Sequence, residues 1–230
     1  MSQLYLVLLV VVALVLLAAT GFVAPLTSQE LASIDARADA LIAQMTLEEK
    51  IAMVHGIGKA GFTGYIPPIE RLGIPAVKMA DGPVGVRAGQ STAFPAPICM
   101  AATWNPEVIN RVGQALGREV LGKGHNVLLG PCINIARLPQ GGRSFEAFGE
   151  DPYLAARMAV AYITGVQSQG VIADAKHFAA NNQEEKRDTI SAEVDERTMR
   201  EIYLPAFRAA VEEAGVWSVM AAYNKINDTY

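Results

Sequence analysis

The sequence is poor in cysteine, in histidine and in charge of either sign. Its two cysteines, Cys99 and Cys132, allow one bridge at most, so a fold that depends on disulfide staples is excluded. Two buried free thiols are the other reading of that pair. His55, His125 and His177 are scattered and lack metal-site spacing, so no metal is expected. Charged residues make up 18% of the chain and the net charge is −4, which gives no footprint for nucleic acid or an anionic membrane surface. A phosphate-cradling loop is lacking too: "GIGKAG" (56–61) fits neither a P-loop nor a dinucleotide fingerprint and follows a helix rather than a strand. Internal repeats and low-complexity tracts are absent, and no cofactor is implied.

What is present is a chain that is 51% hydrophobic, ordinary for a globular protein. Residues 4–19, "LYLVLLVVVALVLLAA", carry no charge and are short for a membrane span, which needs about 20 apolar residues. They suit the apolar core of a secretory signal cleaved near Ala19-Thr20-Gly21, although the preceding "MSQ" carries no positive charge. Residues 1–21 are therefore expected to be a signal, with membrane attachment through residues 4–20 as the alternative. Residues 22–230 are the remaining domain, exported to the periplasm or beyond.

That domain alternates helical and strand patterns. Apolar residues at Leu31, Ile34, Ala38, Leu41, Ile42 and Met45 keep a helical period, and Thr46 with Glu49 forms a capping box. Proline and glycine punctuate residues 56–75, which read as loop. Strands are expected at 76–80, 126–130, 171–175 and, last, 216–223. Helices are expected after Asn105-Pro106, after Asp151-Pro152 and after Asp195, the last kinked at Pro205. Alternation of this kind implies parallel βα units.

In parallel α/β folds, ligands gather at the carboxyl ends of the strands. Here those ends carry Asp81, the Arg143 loop, Lys176-His177 and Tyr223-Asn224. With Arg87, this is an inventory of donors and acceptors suited to a sugar, whose every hydroxyl both gives and takes hydrogen bonds. Each residue also has a plainer reading. Asp81 before Gly-Pro can be a turn residue, Arg143 near Glu146 and Glu150 a surface ion-pair cluster, and Tyr223 core or rim. Lys176-His177 is harder to dismiss, because cationic side chains flush against an apolar strand cost desolvation energy unless partnered.

Five segments, "MADGPVGVR" (79–87), "ATWNPE" (102–107), "GPCINIARLPQGGRSFEAFGEDP" (130–152), "KHFAANNQE" (176–184) and "VDERTMREIYLPAFRAAVEEAGVWSVMAAYNKIN" (194–227), resemble glycoside hydrolase family 3, in its β-glucosidase-like branch. The resemblance runs in order from near Ala36 to Tyr230. It implies a (β/α)8 TIM-type barrel of which this chain supplies four to five N-terminal βα units, and a β-glucoside or oligosaccharide as substrate. It also implies retaining hydrolysis of terminal non-reducing β-D-glucosyl residues by two carboxyl groups about 5–5.5 Å apart. Carried over by position, Asp81 accepts hydrogen bonds from the glycone, Arg87, Arg143, Lys176 and His177 surround the same ring, and Tyr223 orients the nucleophile.

The nucleophile and the acid/base of the family are expected beyond Tyr230, so no catalytic residue is assigned here. Glu184 and Glu185 are declined as a catalytic pair with Asp81, since they fall in a polar loop and Asp81 already has a binding role. The segment after Lys176-His177-Phe178 lacks Pro-Gly and a further histidine, which weakens an N-acetylglucosaminidase reading. A β-xylosidase is the alternative within the family, and a non-catalytic, exported or anchored sugar-binding protein the alternative outside it.

Overall fold

The computed structural model describes residues 27–230. The apolar run at 4–19, with the signal or anchor expected there, lies outside the described residues. Among those described, no helix is long and apolar enough to cross a membrane. The chain divides into two units, the first ending at Ala38 and the second comprising Asp39–Tyr230. Everything below concerns the second unit, apart from the first part of α1 (Ser28–Gln44).

Helix starts follow their caps. The Thr46 hydroxyl accepts the Glu49 backbone N–H while the Glu49 carboxylate takes that of Thr46, and α2 (Leu47–Val54) begins there. Asn105 accepts the N–H groups of Glu107 and Val108 ahead of α4 (Pro106–Gly122), which follows the one-turn α3 (Pro97–Ala101). Asp151 caps α5 (Pro152–Gln167) through the Leu154 N–H. In both long helices a proline fills the first turn, where its missing N–H costs nothing.

Five strands form one curled sheet in the order β1 (Gly64–Ile66), β2 (Val77–Asp81), β3 (Val127–Leu129), β4 (Ile172–Phe178), β6 (Ser218–Ala221). β2, β3, β4 and β6 are parallel, and β1 lies antiparallel against β2. A short parallel pair, β5 (Ser191–Ala192) with β7 (Lys225–Ile226), stands apart. The expected parallel βα architecture is present as half of a barrel wall, with helices packed on its outer face.

The core joins strand residues Ala80, Leu128, Ala173 and Ala175 to Ile109, Leu116 and Val120 of α4, Met158, Tyr162 and Ile163 of α5, and Phe207 of the helix before β6. Helices α4 and α5 approach closely because they meet at glycines. A methyl group on Gly113 would come within 2.5 Å of the Tyr162 carbonyl oxygen, and one on Gly165 would strike that of Asn110. Core strand β4 is buried from Ala173 to His177. Since side chains alternate along a strand, the alanines at 173 and 175 face the helices while Asp174 and Lys176 face the inside of the half-barrel.

Four expectations need correction. Residues 56–75 are not all loop: β1 forms there, followed by a 3₁₀ turn at Glu70–Leu72. The strand expected to stop at residue 175 continues through Phe178, so Lys176 and His177 are strand residues. The kink at Pro205 is a full interruption. Helix α6 (Glu196–Thr198), capped by Asp195, passes into a π turn (Met199–Tyr203), and α7 (Pro205–Glu212) starts anew with the proline in its first turn. Both cysteines are free, but only Cys132 is buried, Cys99 being exposed on α3.

Candidate functional site: the strand ends

β2 ends at Asp81, and the backbone turns at once through Gly82. A side chain at Gly82 would meet the Gly85 carbonyl oxygen at 2.7 Å and Leu128 at 2.8 Å, so only glycine lets the chain fold back here. The turn returns Arg87 to the aspartate: its NH1 donates to Asp81 Oδ2 at 2.9 Å. Two strands away, Lys176 Nζ donates to Asp81 Oδ1 at 2.8 Å. The Lys176 side chain is 4% exposed, that of Arg87 53%, so one partner is sealed in and the other stands at the rim. Burial pushes the Asp81 carboxyl upward, but Lys176, Arg87 and Arg143 together outweigh it and hold the group below the ordinary aspartate range.

His177 falls where the β4–β6 register slips between Lys176 and Phe178, a bulge that re-aims the side chain. The Lys176–His177 and Phe178–Ala179 peptides are cis, as is Gly130–Pro131. Asn134, in the loop after β3, holds His177 by backbone and ring together. Its Nδ2 donates to the His177 carbonyl at 2.9 Å, and its Oδ1 accepts the His177 backbone N–H at 3.0 Å. The carboxamide orientation is thereby fixed, so the ring nitrogen Nδ1, 2.9 Å from the same Oδ1, must carry the proton. The other nitrogen, Nε2, keeps its lone pair and accepts from Arg143 NH1 at 3.2 Å.

Burial, with Arg143 and Lys176 close by, lowers the His177 ring to about 3. The unfolded chain binds a proton near pH 6.5 that the folded chain refuses. Stability therefore falls as the pH drops below about 6.5, by up to about 1.4 kcal/mol per pH unit from this group. The ring carbon and nitrogen NMR signals of His177 are expected to stay constant between about pH 5 and 8. A titration inside that window would contradict the neutral, singly protonated ring.

Arg143 is not part of a surface cluster. Its guanidinium pairs with Glu146, which is only 2% exposed, and lies 3.6 Å from Glu184. Glu184 in turn takes Arg187 at 2.8 Å, and the Arg187 guanidinium lies 5.1 Å from the centre of the Tyr223 ring. Tyr223 itself is 58% exposed at the rim. Of the expected residues, Asp81, Arg87 and Lys176 form one linked group and Arg143 and His177 another. Tyr223 reaches the second group only through Arg187 and Glu184.

Sequence reasoning missed Asn134, read Glu146 only as a surface ion-pair partner, assigned no role to Glu184 or Arg187, and overlooked Asp174. Asp174 is buried two residues before Lys176, where Ser218 donates to its Oδ1 at 2.5 Å and burial pushes its carboxyl upward. The segments 130–152 and 176–184 contained Asn134, Glu146 and Glu184, but nothing local marked which of their polar residues would meet. Among the described residues, no group of three or more histidine, cysteine or carboxylate side chains could hold a metal ion.

Arranged this way, the strand ends offer hydroxyl groups a shared carboxylate, a sealed ammonium and a guanidinium held by a neutral imidazole. Known proteins place the same scaffold. The chain is 51% identical over 199 residues to a beta-glucosidase of Rhizobium radiobacter, covering 84% of this chain and 24% of that one. It is 47% identical over 203 residues to thermostable beta-glucosidase B of Acetivibrio thermocellus, covering 83% and 26%. Among solved structures, beta-glucosidase 3B from Thermotoga neapolitana in complex with glucose superposes with a TM-score of 0.81 at 44% identity, over 84% of this chain and 30% of that chain. The chain thus spans about a quarter of the length of the curated relatives it matches. The Glycosyl hydrolase family 3 N terminal domain model matches residues 67–230, and the chain belongs to glycoside hydrolase family 3.

Proposed function

We propose that this chain forms the glycone-binding part of a retaining β-glucosidase, which removes terminal non-reducing β-D-glucosyl residues. The observation that carries this reading is the Asp81–Lys176 pair, sealed on the lysine side and open on the aspartate side. A carboxylate has about four lone-pair positions, and Lys176 and Arg87 occupy two of those on Asp81. The remainder can accept from two sugar hydroxyls, while Lys176 has two ammonium hydrogens to return. On the neighbouring side Arg143 donates, its NH1 held by the His177 Nε2 lone pair. Tyr223, exposed at the rim, is in this reading the residue that orients the nucleophile.

Bond cleavage needs a free carboxylate nucleophile and a separate proton donor about 5–5.5 Å away. Three carboxylates of this cluster are engaged by cations, Asp81 by Lys176 and Arg87, Glu146 by Arg143 and Glu184 by Arg187, while Asp174 is buried and accepts from Ser218 at one oxygen. In this reading both catalytic groups, with the remaining strands of an eightfold barrel, belong to residues outside this sequence. The same engagement of carboxylates favours, as a second reading, a sugar-binding protein that performs no hydrolysis. Export rests on the apolar run at 4–19 alone.

The purified 230-residue chain is expected to bind glucose without hydrolysing an aryl β-glucoside. Turnover that follows the chain through purification and disappears in Asp81→Ala would mean that the nucleophile lies within it. Absence of any saturable sugar binding would remove the glycone reading itself.

A further inference from the structure

Arg87 and Thr63 each belong to two places. Arg87 NH1 grips Asp81, and the Thr63 hydroxyl oxygen accepts the Asp81 backbone N–H at 3.1 Å. Both residues also line an open cleft of about 600 Å³, walled by Phe62, Gly89, Lys123 and His125. No aspartate or glutamate lines it among the described residues. We propose that this cleft receives an anionic group, phosphate or carboxylate, carried by the sugar that Asp81 holds. The proposal rests on the glycone reading of Asp81 given above.

The lining is rich in donors and short of acceptors. Lys123 Nζ donates to the Ala88 carbonyl at 2.8 Å and to that of Gln90, and keeps one further hydrogen. Its two contacts fix the loop after β2 and occupy those carbonyls. The His125 ring lies between the carbonyl oxygens of Gly61 and Lys123, at 3.1 Å each, and its one N–H occupies one of the two. Arg87 keeps its Nε and NH2 hydrogens without a protein partner among the described residues, and Thr63 keeps its hydroxyl hydrogen. A neutral hydroxyl needs an acceptor as well as a donor, whereas a phosphate or carboxylate only accepts. The volume lies in the range of small-molecule sites. Because Arg87 touches both Asp81 and the cleft, one ligand can occupy the two together.

The test is titration of the 230-residue chain with glucose, glucose 6-phosphate, glucuronate and inorganic phosphate at low salt. At least one anionic sugar is expected to bind about tenfold more tightly than glucose, and the advantage is expected to shrink below about twofold in high salt. A response to glucose 6-phosphate alone identifies a phosphate, and to glucuronate alone a carboxylate. Lys123→Glu, which does not touch Asp81, is expected to remove the advantage. Should that variant fail to fold, Gly89→Asp introduces the same charge at a φ of +63°, which aspartate tolerates, with open space around the new side chain. Equal binding of all three sugars overturns the proposal and leaves the glycone reading intact. So does inorganic phosphate binding as tightly as glucose 6-phosphate. Failure of every sugar to bind overturns both.

Discussion

Asp81→Asn is expected to lower stability by about 3 kcal/mol at neutral pH and to weaken glucose binding at least about tenfold. The asparagine keeps the shape but leaves the Lys176 ammonium, 4% exposed, without its counter-charge. Removing one partner of a buried pair costs about 3–5 kcal/mol, and the partial exposure of Asp81 puts this case at the lower end. Urea denaturation reads the first effect and sugar titration the second. The double variant Asp81→Asn with Lys176→Met is expected to regain much of the stability, because an apolar side chain then fills the lysine's space. It is not expected to regain binding. A single variant with an unchanged urea midpoint would show that Lys176 does not depend on Asp81. The pair also has a pH signature. The folded Asp81 carboxyl titrates below its unfolded value, so its contribution is full above the ordinary aspartate range and is lost as the pH falls through the folded value.

Asn134→Ala is expected to cost about 3 kcal/mol or more, although Asn134 has no hydrogen bond to Asp81, Arg87 or Lys176. Three hydrogen bonds to His177 disappear at once, and the buried N–H, the carbonyl and the ring Nδ1 lose their partner together. Nothing then forces the proton onto Nδ1. A ring protonated at Nε2 would point a donor at the Arg143 guanidinium, which also donates. Thermal unfolding and the nitrogen shifts of the His177 ring measure the two effects separately. Unchanged melting with an unchanged tautomer would mean that the histidine is held by something other than Asn134.

The helices were legible because their signals are local. Asn105-Pro106, Asp151-Pro152 and Thr46 with Glu49 each write a helix start within four residues, and each helix begins there. The strands β2, β3, β4 and β6 were legible as short apolar runs, but their ends were not. The strand at 171–175 reads as ending with Lys176 and His177 at its tip, yet pairing with β6 carries it through Phe178. Strand β1 has three residues among prolines and glycines, and exists only because β2 pairs with it from 11 residues or more away.

Within the site, the charged residues at strand ends were visible and their partners were not. Asn134 meets His177 across 43 positions, and Lys176 meets Asp81 across 95. Such contacts are set by the sheet order β2-β3-β4, which no single segment encodes. Glu184 shows the cost of reading a segment alone. As part of a polar loop it had no role, whereas in the fold it joins Arg143 to Arg187 and, through that arginine, to Tyr223. Glu146 looked like half of a surface ion pair and is among the most buried side chains of the protein.

The most direct measurement is a crystal structure of the protein, extended to the length of its relatives, with glucose bound. The expected result places sugar hydroxyls within hydrogen-bond distance of both the Asp81 carboxylate and Lys176 Nζ, with His177 Nε2 and Arg143 on the neighbouring edge of the ring. Glucose bound elsewhere, with the Asp81–Lys176 pair intact and touching no sugar atom, would contradict the assignment of these strand ends to glycone recognition.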